Sequence, residues 1–213
     1  MGDWTVHIVD DDAAVRDSLA FMLAAAGFAV RTYPNGSEFL SVARSLRHSC
    51  LLTDLRMPDM SGVELIRRLK AADAALPAIV ITGHGDVPMA VEAMKVGASD
   101  FIEKPFDDAV LLEAIARATG ERNAPAGDGG IADDIVARLD TLTPREVEVF
   151  EAVVGGLPNK TIAHALDISP RTVEVHRANV MTKMQARNLP ELVRLALAAG
   201  YDITSPVRNP INR

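Results

Sequence analysis

The chain has 213 residues, and its 22 basic and 29 acidic side chains give a formal charge of −7. Hydrophobic residues make up 48% and charged residues 24%, which excludes a disordered chain, a collagen and a coiled-coil rod. The one cysteine, Cys50, excludes an internal disulfide and a cysteine-built zinc site, and the acidic balance argues at first sight against a nucleic-acid partner. No apolar run approaches the roughly 20 residues of a membrane span. The opening stretch lacks the basic lead and apolar core of a signal peptide. A soluble cytoplasmic protein is the expectation.

Short apolar runs alternate with helical patterns through the first 120 residues. Val6–Val9, Ala29–Tyr33, Cys50–Thr53, Ala78–Ile81 and Asp100–Ile102 read as strands. Between them, Val15, Leu19, Met22 and Leu23, then Val63, Ile66 and Leu69, then Met89, Val91 and Met94 recur at the spacing of one helix face. Five strand–helix repeats predict an α/β domain over 1–120, a parallel sheet with helices on both faces. Ser61–Glu64 and Thr143–Glu146 fit the capping box, the second with proline at the first helical position.

The stretch GERNAPAGDGG at 120–130 has four glycines and a proline, and reads as a linker. Ile131, Ile135, Val136 and Leu139 then keep helical spacing, so the link over 121–140 is expected to be partly helical. From 141 to 203 no strand pattern remains. Four helices are predicted, Pro144–Gly155, Asn159–Leu166, Pro170–Met184 and Leu189–Ala199, with a frayed tail over 204–213.

In the α/β domain the chemistry collects at the carboxyl ends of strands, where open parallel sheets bind ligands. Asp10, Asp11 and Asp12 follow strand one, Asp54 follows strand three, Thr82 ends strand four and Lys104 follows strand five. With strand order 2-1-3-4-5, the Asp10–Asp11 pair and Asp54 converge. Carboxylates this close repel unless a cation joins them, and Mg²⁺ characteristically takes one or two carboxylates, several waters and a phosphoryl oxygen. A carboxylate can attack phosphorus to give an aspartyl phosphate. Mg²⁺ and Lys104 would neutralise the phosphoryl oxygens while the Thr82 hydroxyl holds one of them. Asp12 alone reads as a helix cap, Cys50 as a small buried hydrophobe, and His84 as a solvated loop residue.

The segments VDD (Val9–Asp11), TDLRMPDMSG (Thr53–Gly62), VITGHGD (Val80–Asp86) and FIEKPF (Phe101–Phe106) resemble the receiver domain of two-component response regulators, over residues 5–120. The resemblance implies a flavodoxin-like fold, Asp54 as phosphoacceptor and Asp10 and Asp11 as the acidic pair. It implies Mg²⁺ held by Asp11, Asp54 and the Arg56 backbone carbonyl, with Thr82 and Lys104 completing the site and Phe101 as an aromatic switch. A cis Lys104–Pro105 peptide belongs to the same pattern. A haloacid-dehalogenase-type enzyme would need a second aspartate two residues after Asp54, where this chain has Arg56.

In the second half, Ser169 and Pro170 open a helix after the short turn Asp167–Ser169, the arrangement of a helix-turn-helix. Val173, Val180 and Met184 fall on one face as core. The other face carries Arg171, Val175, Ala178 and Thr182, flanked by Thr172, Glu174, Asn179 and Lys183, and suits the major groove. Val175 is placed to meet a thymine methyl and Glu174 a cytosine amino group. His176 falls at the core edge.

TLTPREVEV (Thr141–Val149), GLPNKTIA (Gly156–Ala163) and SPRTVEVHRANVMTKM (Ser169–Met184) resemble the LuxR-type output domain, and the pairing of the two domains resembles the FixJ branch of response regulators. By resemblance, Glu174, Val175 and Ala178 face bases. Lys160, Thr161, Arg171, Thr172, Asn179 and Lys183 meet phosphates or the groove. Glu174 is acidic where many relatives in the wider group are basic. The partners implied are a sensor histidine kinase, promoter DNA, RNA polymerase and a second copy, joined through the fourth helix and fifth strand of the receiver. A phosphate-sink receiver with vestigial DNA binding is the alternative. The acidity divides unevenly: residues 1–124 carry 12 basic and 18 acidic side chains, residues 157–213 carry 8 and 4.

Overall fold

The computed structural model describes residues 4–74, 76–83, 87–120 and 130–201. The predicted linker at 121–129, the predicted tail at 204–213 and His84 lie outside them. The chain forms two compact units, residues 1–125 and 126–213.

The first unit alternates β1 (Thr5–Val9), α1 (Ala13–Ala25), β2 (Ala29–Tyr33), α2 (Gly36–Ala43), β3 (Ser49–Asp54), α3 (Gly62–Ala71), β4 (Ala78–Thr82), α4 (Val87–Lys95), β5 (Asp100–Glu103) and α5 (Asp108–Ala118). The sheet is parallel in the order β2-β1-β3-β4-β5, as the pattern predicts. The central strands are mostly apolar and almost wholly buried, as helices covering both faces require. All five residues of β4 are buried, whereas β2, at the edge, buries only Tyr33 fully. On one face Val6, Ile8, Cys50, Leu52, Ile79, Ile81 and Ile102 pack on Leu19 and Leu23 of α1 and on Leu111 and Ile115 of α5. Cys50 is one of these hydrophobes, and burial pushes its thiol up to about 12.

Local chemistry sets the helix starts. Asp12 caps α1 by accepting the N–H groups of Ala14 (2.8 Å) and Val15 (3.4 Å). Ser61 caps α3 through the Glu64 N–H (3.1 Å), but the Glu64 carboxylate turns to Arg68 and Arg67, so only half of the expected capping box forms.

His7 was not singled out by the sequence. It lies on β1 facing α2, 1% exposed, with its ring beside those of Tyr33 and Phe39. Its Nδ1 is 3.1 Å from the Tyr33 hydroxyl, and its buried Nε2 has no hydrogen-bond partner. Burial first, and the Arg31 charge second, lower its pKa to about 4.

The second unit is helical: α6 (Gly130–Leu139), α7 (Pro144–Val154), α8 (Asn159–Ala165), α9 (Pro170–Met184) and α10 (Leu189–Ala198). The helix expected within the link is α6, and it packs into this unit. Ile135 is 1% exposed, and Arg138 donates to the Met184 carbonyl at the end of α9 (3.2 Å). No helix among the described residues is long and apolar enough to cross a membrane.

A clamp joins α7 to α9. Thr143 and Glu146 form the reciprocal capping box expected of them. The same Glu146 carboxylate, nearly buried, accepts from Lys183 Nζ at 2.6 Å. The Lys183 bond, then the Thr143 N–H, hold the Glu146 carboxyl down at about 2.

The two buried titratable groups, His7 and Glu146, each make stability testable. The folded state keeps His7 neutral where the unfolded chain protonates it. That contribution is complete above pH 6.5 and fades as pH falls toward 4, with a total of about 3 kcal/mol. Urea midpoints followed by fluorescence of Trp4, the one tryptophan, should show about 2 kcal/mol lost between pH 7.5 and 5. His7→Leu should remove most of that drop; an unchanged drop would refute the assignment. For the clamp, Lys183→Met should lower stability by about 1–2 kcal/mol, less than for a fully buried pair because a third of the lysine is exposed. Thermal unfolding read by far-ultraviolet circular dichroism would check this.

Candidate functional site

Strand pairing brings the first set of residues together. Val9 of β1 is level with Thr53 of β3, so Asp10 and Asp54 leave neighbouring strands side by side. β3 pairs on with β4, placing Asp54 level with Ile81 and beside Thr82. Lys104 follows β5, its N–H bonded to the Thr82 carbonyl (2.8 Å), and the Lys104–Pro105 peptide is cis.

The Lys104 ammonium reaches across this edge. It donates to Asp54 Oδ1 at 2.8 Å and stands 3.5 Å from Asp10 Oδ2. The first contact is a strong charge-assisted hydrogen bond; the second is long for one. Burial alone would lower the lysine pKa, but the bond and charge of Asp54 and the charge of Asp10 outweigh it and raise it. Asp54 Oδ2 accepts the Arg56 N–H at 2.7 Å, which fixes the carboxylate from the other side.

Asp10 is 3% exposed. Its Oδ1 accepts the Asp12 N–H (2.9 Å), while its buried Oδ2 has no hydrogen-bond partner. Burial is the main cause of its raised pKa; the Asp54 charge adds to the rise, and the Asp12 N–H and Lys104 oppose it. A desolvated carboxylate whose inner oxygen has only a distant ammonium and no hydrogen bond, facing another carboxylate, is a position that attracts further positive charge.

Asp11 is exposed, and among the described residues no three histidine, cysteine, aspartate or glutamate side chains form a metal-binding group. Of the expected set, Asp10 and Asp54 meet through Lys104, which contacts both, while Asp11 follows Asp10 with its side chain exposed. Thr82 is 2% exposed, with its hydroxyl directed to the Gly83 carbonyl (3.2 Å). Phe101, 7% exposed, is core on β5 beside Val80. A separate cleft of about 380 Å³, lined by Trp4, Arg47, His48 and Asp73 among others, lies at the opposite ends of the strands.

The second set lies on α8 and α9. The turn between them passes through Asp167 in the left-handed region (φ 52°) and ends at Ser169, which caps α9 through the Thr172 N–H (3.1 Å). Arg145 donates to the Leu166 carbonyl (2.6 Å) and Arg177 to the Asn159 side chain (2.6 Å), fixing the turn and the angle of α9. The sequence reading missed both anchors. Val173, Val180 and Met184 are buried as predicted. Arg171, Glu174, Val175, Ala178 and Asn179 are exposed along one side of α9, Val175 to 55%, and Thr172 is half-buried at its start. Lys160 and Thr161 are exposed on α8. His176 is half-buried with an unpartnered Nδ1, at the core edge as expected.

Lys183 departs from the expectation. Its ammonium is taken up by Glu146 and by the Thr141 carbonyl (3.0 Å), so it serves the packing of α9 rather than a free groove contact.

Comparison with known proteins agrees with both halves. Residues 6–116 match the response regulator receiver domain, and residues 140–196 match the bacterial regulatory proteins of the luxR family. The chain is 63% identical to the transcriptional regulatory protein FixJ of Rhizobium meliloti, over 94% of this chain and 98% of that protein. It is 51% identical to FixJ of Bradyrhizobium diazoefficiens, over 92% and 95%. Among solved structures it resembles full-length FixJ from B. japonicum, with 51% identity, a TM-score of 0.54 and coverage of 92% of this chain and 97% of that one. The chain thus belongs to the FixJ-type two-component response regulators, transcription regulators that join a receiver to a LuxR-type DNA-binding domain.

Proposed function

We propose that Asp54 accepts a phosphoryl group from a partner histidine kinase in an Mg²⁺-dependent reaction in the cytoplasm, and that the phosphorylated chain dimerises and binds promoter DNA. The observation that carries this reading is the Asp10–Lys104–Asp54 constellation, in which two carboxylates share one ammonium and the buried Asp10 oxygen facing it at 3.5 Å makes no hydrogen bond.

The transfer is a substitution at phosphorus. An Asp54 oxygen forms the new P–O bond, the bond to the donor breaks, and its electron pair leaves with the donor. The Arg56 N–H holds one Asp54 oxygen, so the carboxylate is oriented before the donor arrives. Lys104, 2.8 Å from the other oxygen, is within reach of the phosphoryl oxygens, and the Thr82 hydroxyl is the neutral donor beside them. Asp10, Asp11, Asp54 and the Arg56 carbonyl are the groups that would hold Mg²⁺. Its chemistry there is neutralisation of charge on the phosphoryl oxygens. The orphaned Asp10 oxygen fits that demand. Turnover beyond this self-phosphorylation and a slow loss of the phosphoryl group is not part of the proposal.

Phosphorylation replaces the single charge of the Asp54 carboxylate with about −1.5 to −2, a gain of about −0.5 to −1 beside Lys104. A response reaching Thr82 and Phe101 would bias the face of α4 and β5 toward pairing with a second copy. A dimer then reads two half-sites. On each half-site Glu174, Val175 and Ala178 would face bases. Arg171, Thr172, Asn179, Lys160 and Thr161 would meet backbone or groove, with RNA polymerase a further partner. The proposed domain limits are 1–120 and 141–203, with the link and α6 between them.

Labelling by acetyl phosphate should require Mg²⁺ and vanish in Asp54→Asn; full labelling of that variant would refute the assignment. The phosphorylated protein should bind a promoter fragment more tightly than the unmodified one, with affinity falling as salt rises. Arg171→Ala should weaken binding about equally at every site, whereas Val175→Ala should change the preferred sequence. Binding insensitive to phosphorylation and salt would favour a phosphate sink instead.

A further inference from the structure

The loop that leads from Asp54 to α3 is fastened to a different helix. The Asp59 carboxylate accepts the Ser37 N–H (3.0 Å), the Ser37 hydroxyl (2.9 Å) and the Gly36 N–H (3.4 Å), all at the start of α2. The Asn35 side chain takes the next donor, the Glu38 N–H (2.8 Å). Two residues far apart in sequence thus satisfy three of the four donors that a helix start leaves open. The positive end of the α2 dipole favours a carboxylate there. Burial would raise the Asp59 pKa, but the Ser37, Gly36 and Met60 hydrogen bonds outweigh it and hold the carboxyl below its usual range.

The neighbouring contacts are close. A Cβ on Gly36 would stand 2.8 Å from Met60 Sδ, so the loop tip lies directly on the α2 backbone. At the loop base a Cβ on Gly62 would stand 2.6 Å from the Asp54 carbonyl, and the Gly62 N–H donates to the Leu55 carbonyl (3.0 Å). Met57 and Met60 are each 8% exposed. The loop is closed at its base and held at its tip, and Arg56, whose N–H orients Asp54, lies between the two fastenings.

We propose that Asp59 is a positioning residue for phosphoryl transfer: by capping α2 it fixes the loop whose Arg56 peptide sets the Asp54 carboxylate and presents the Arg56 carbonyl. This rests on the function proposed above. Nothing in the capping itself requires chemistry at Asp54, so the test must read the reaction as well as the fold. The rate of labelling of the full chain by acetyl phosphate is measured against Mg²⁺ concentration, with circular dichroism confirming the fold of each variant. Asp59→Ala should raise the Mg²⁺ concentration for half-maximal rate about tenfold, the scale for groups supporting metal ligands. Asp59→Asn keeps the shape and an acceptor but loses the charge, and should raise it about threefold, since charged acceptors are roughly twice as strong as neutral ones.

A purely structural role would lower the thermal midpoint and leave the Mg²⁺ dependence of the folded protein unchanged, and that result overturns the proposal. If Asp59→Ala does not fold, an unchanged Mg²⁺ midpoint in Asp59→Asn overturns it equally. Wild-type protein that takes no label overturns the functional reading and, with it, the role given to Asp59. A labelled wild type with unshifted variants overturns the role of Asp59 alone.

Discussion

The receiver is organised around two carboxylates that the sheet forces together and one ammonium that keeps them there. β1 and β3 are neighbours, and adjacent strands lie about 4.8 Å apart. Asp10 and Asp54 must therefore emerge close to one another whatever their side chains do. Two like charges about 4 Å apart repel by about 4 kcal/mol at the dielectric of a protein surface. Lys104 offsets this by contacting both. Its own place depends on β4 and β5 being paired, since its N–H is bonded to the Thr82 carbonyl. Strand order, register and the charge balance of the site are thus one constraint seen at three scales.

The second unit uses a buried charge differently. Glu146 is held by a capping box within its own helix and by Lys183 from α9, so one carboxylate fixes both the start of α7 and the placement of α9. The cost of burying that carboxylate is offset by the Thr143 N–H and the Lys183 ammonium rather than by water. The exposed side of α9 is thereby free of structural duties and carries Arg171, Glu174, Val175, Ala178 and Asn179. The chain charge of −7 is an average over halves with opposite needs. The basic excess lies in residues 157–213, with 8 basic side chains against 4 acidic, where a phosphate backbone would be met.

Elements with a period of their own were legible in the sequence. The five strands and the helices α7 to α10 stand within a residue or two of their predicted bounds, because apolar alternation, Ser61, Thr143 and Ser169 mark them locally. The convergence of Asp10, Asp54 and Lys104 was legible once strand order was assumed, since order alone makes them neighbours. What stayed hidden depends on contacts across long stretches of chain. Asp59 reads as an ordinary loop aspartate until Ser37, 22 residues earlier, is placed beside it. Lys183 sits on the polar side of its helical wheel, yet its long stem lets the ammonium reach Glu146, and a wheel assigns faces without assigning reach. His7 sits in an apolar strand as Val or Ile would, and only the surrounding Tyr33 and Phe39 rings explain its tolerance there.

The shared ammonium also bears on why a receiver of this design would need a metal as well as a lysine. In the unmodified protein Lys104 answers for both carboxylates. A phosphoryl group on Asp54 would bring more negative charge than the carboxylate it replaces, and would draw Lys104 toward itself and away from Asp10. Asp10, buried and already short of partners on Oδ2, would then face added negative charge with less compensation than before. Protonation of Asp10, whose pKa burial already raises, is one answer, but it removes a charge that a divalent cation could use. Mg²⁺, which Asp10, Asp11, Asp54 and the Arg56 carbonyl would hold, would answer the same need by charge neutralisation and leave Asp10 ionised. On this reading the metal takes over the half of Lys104's task that phosphorylation would end.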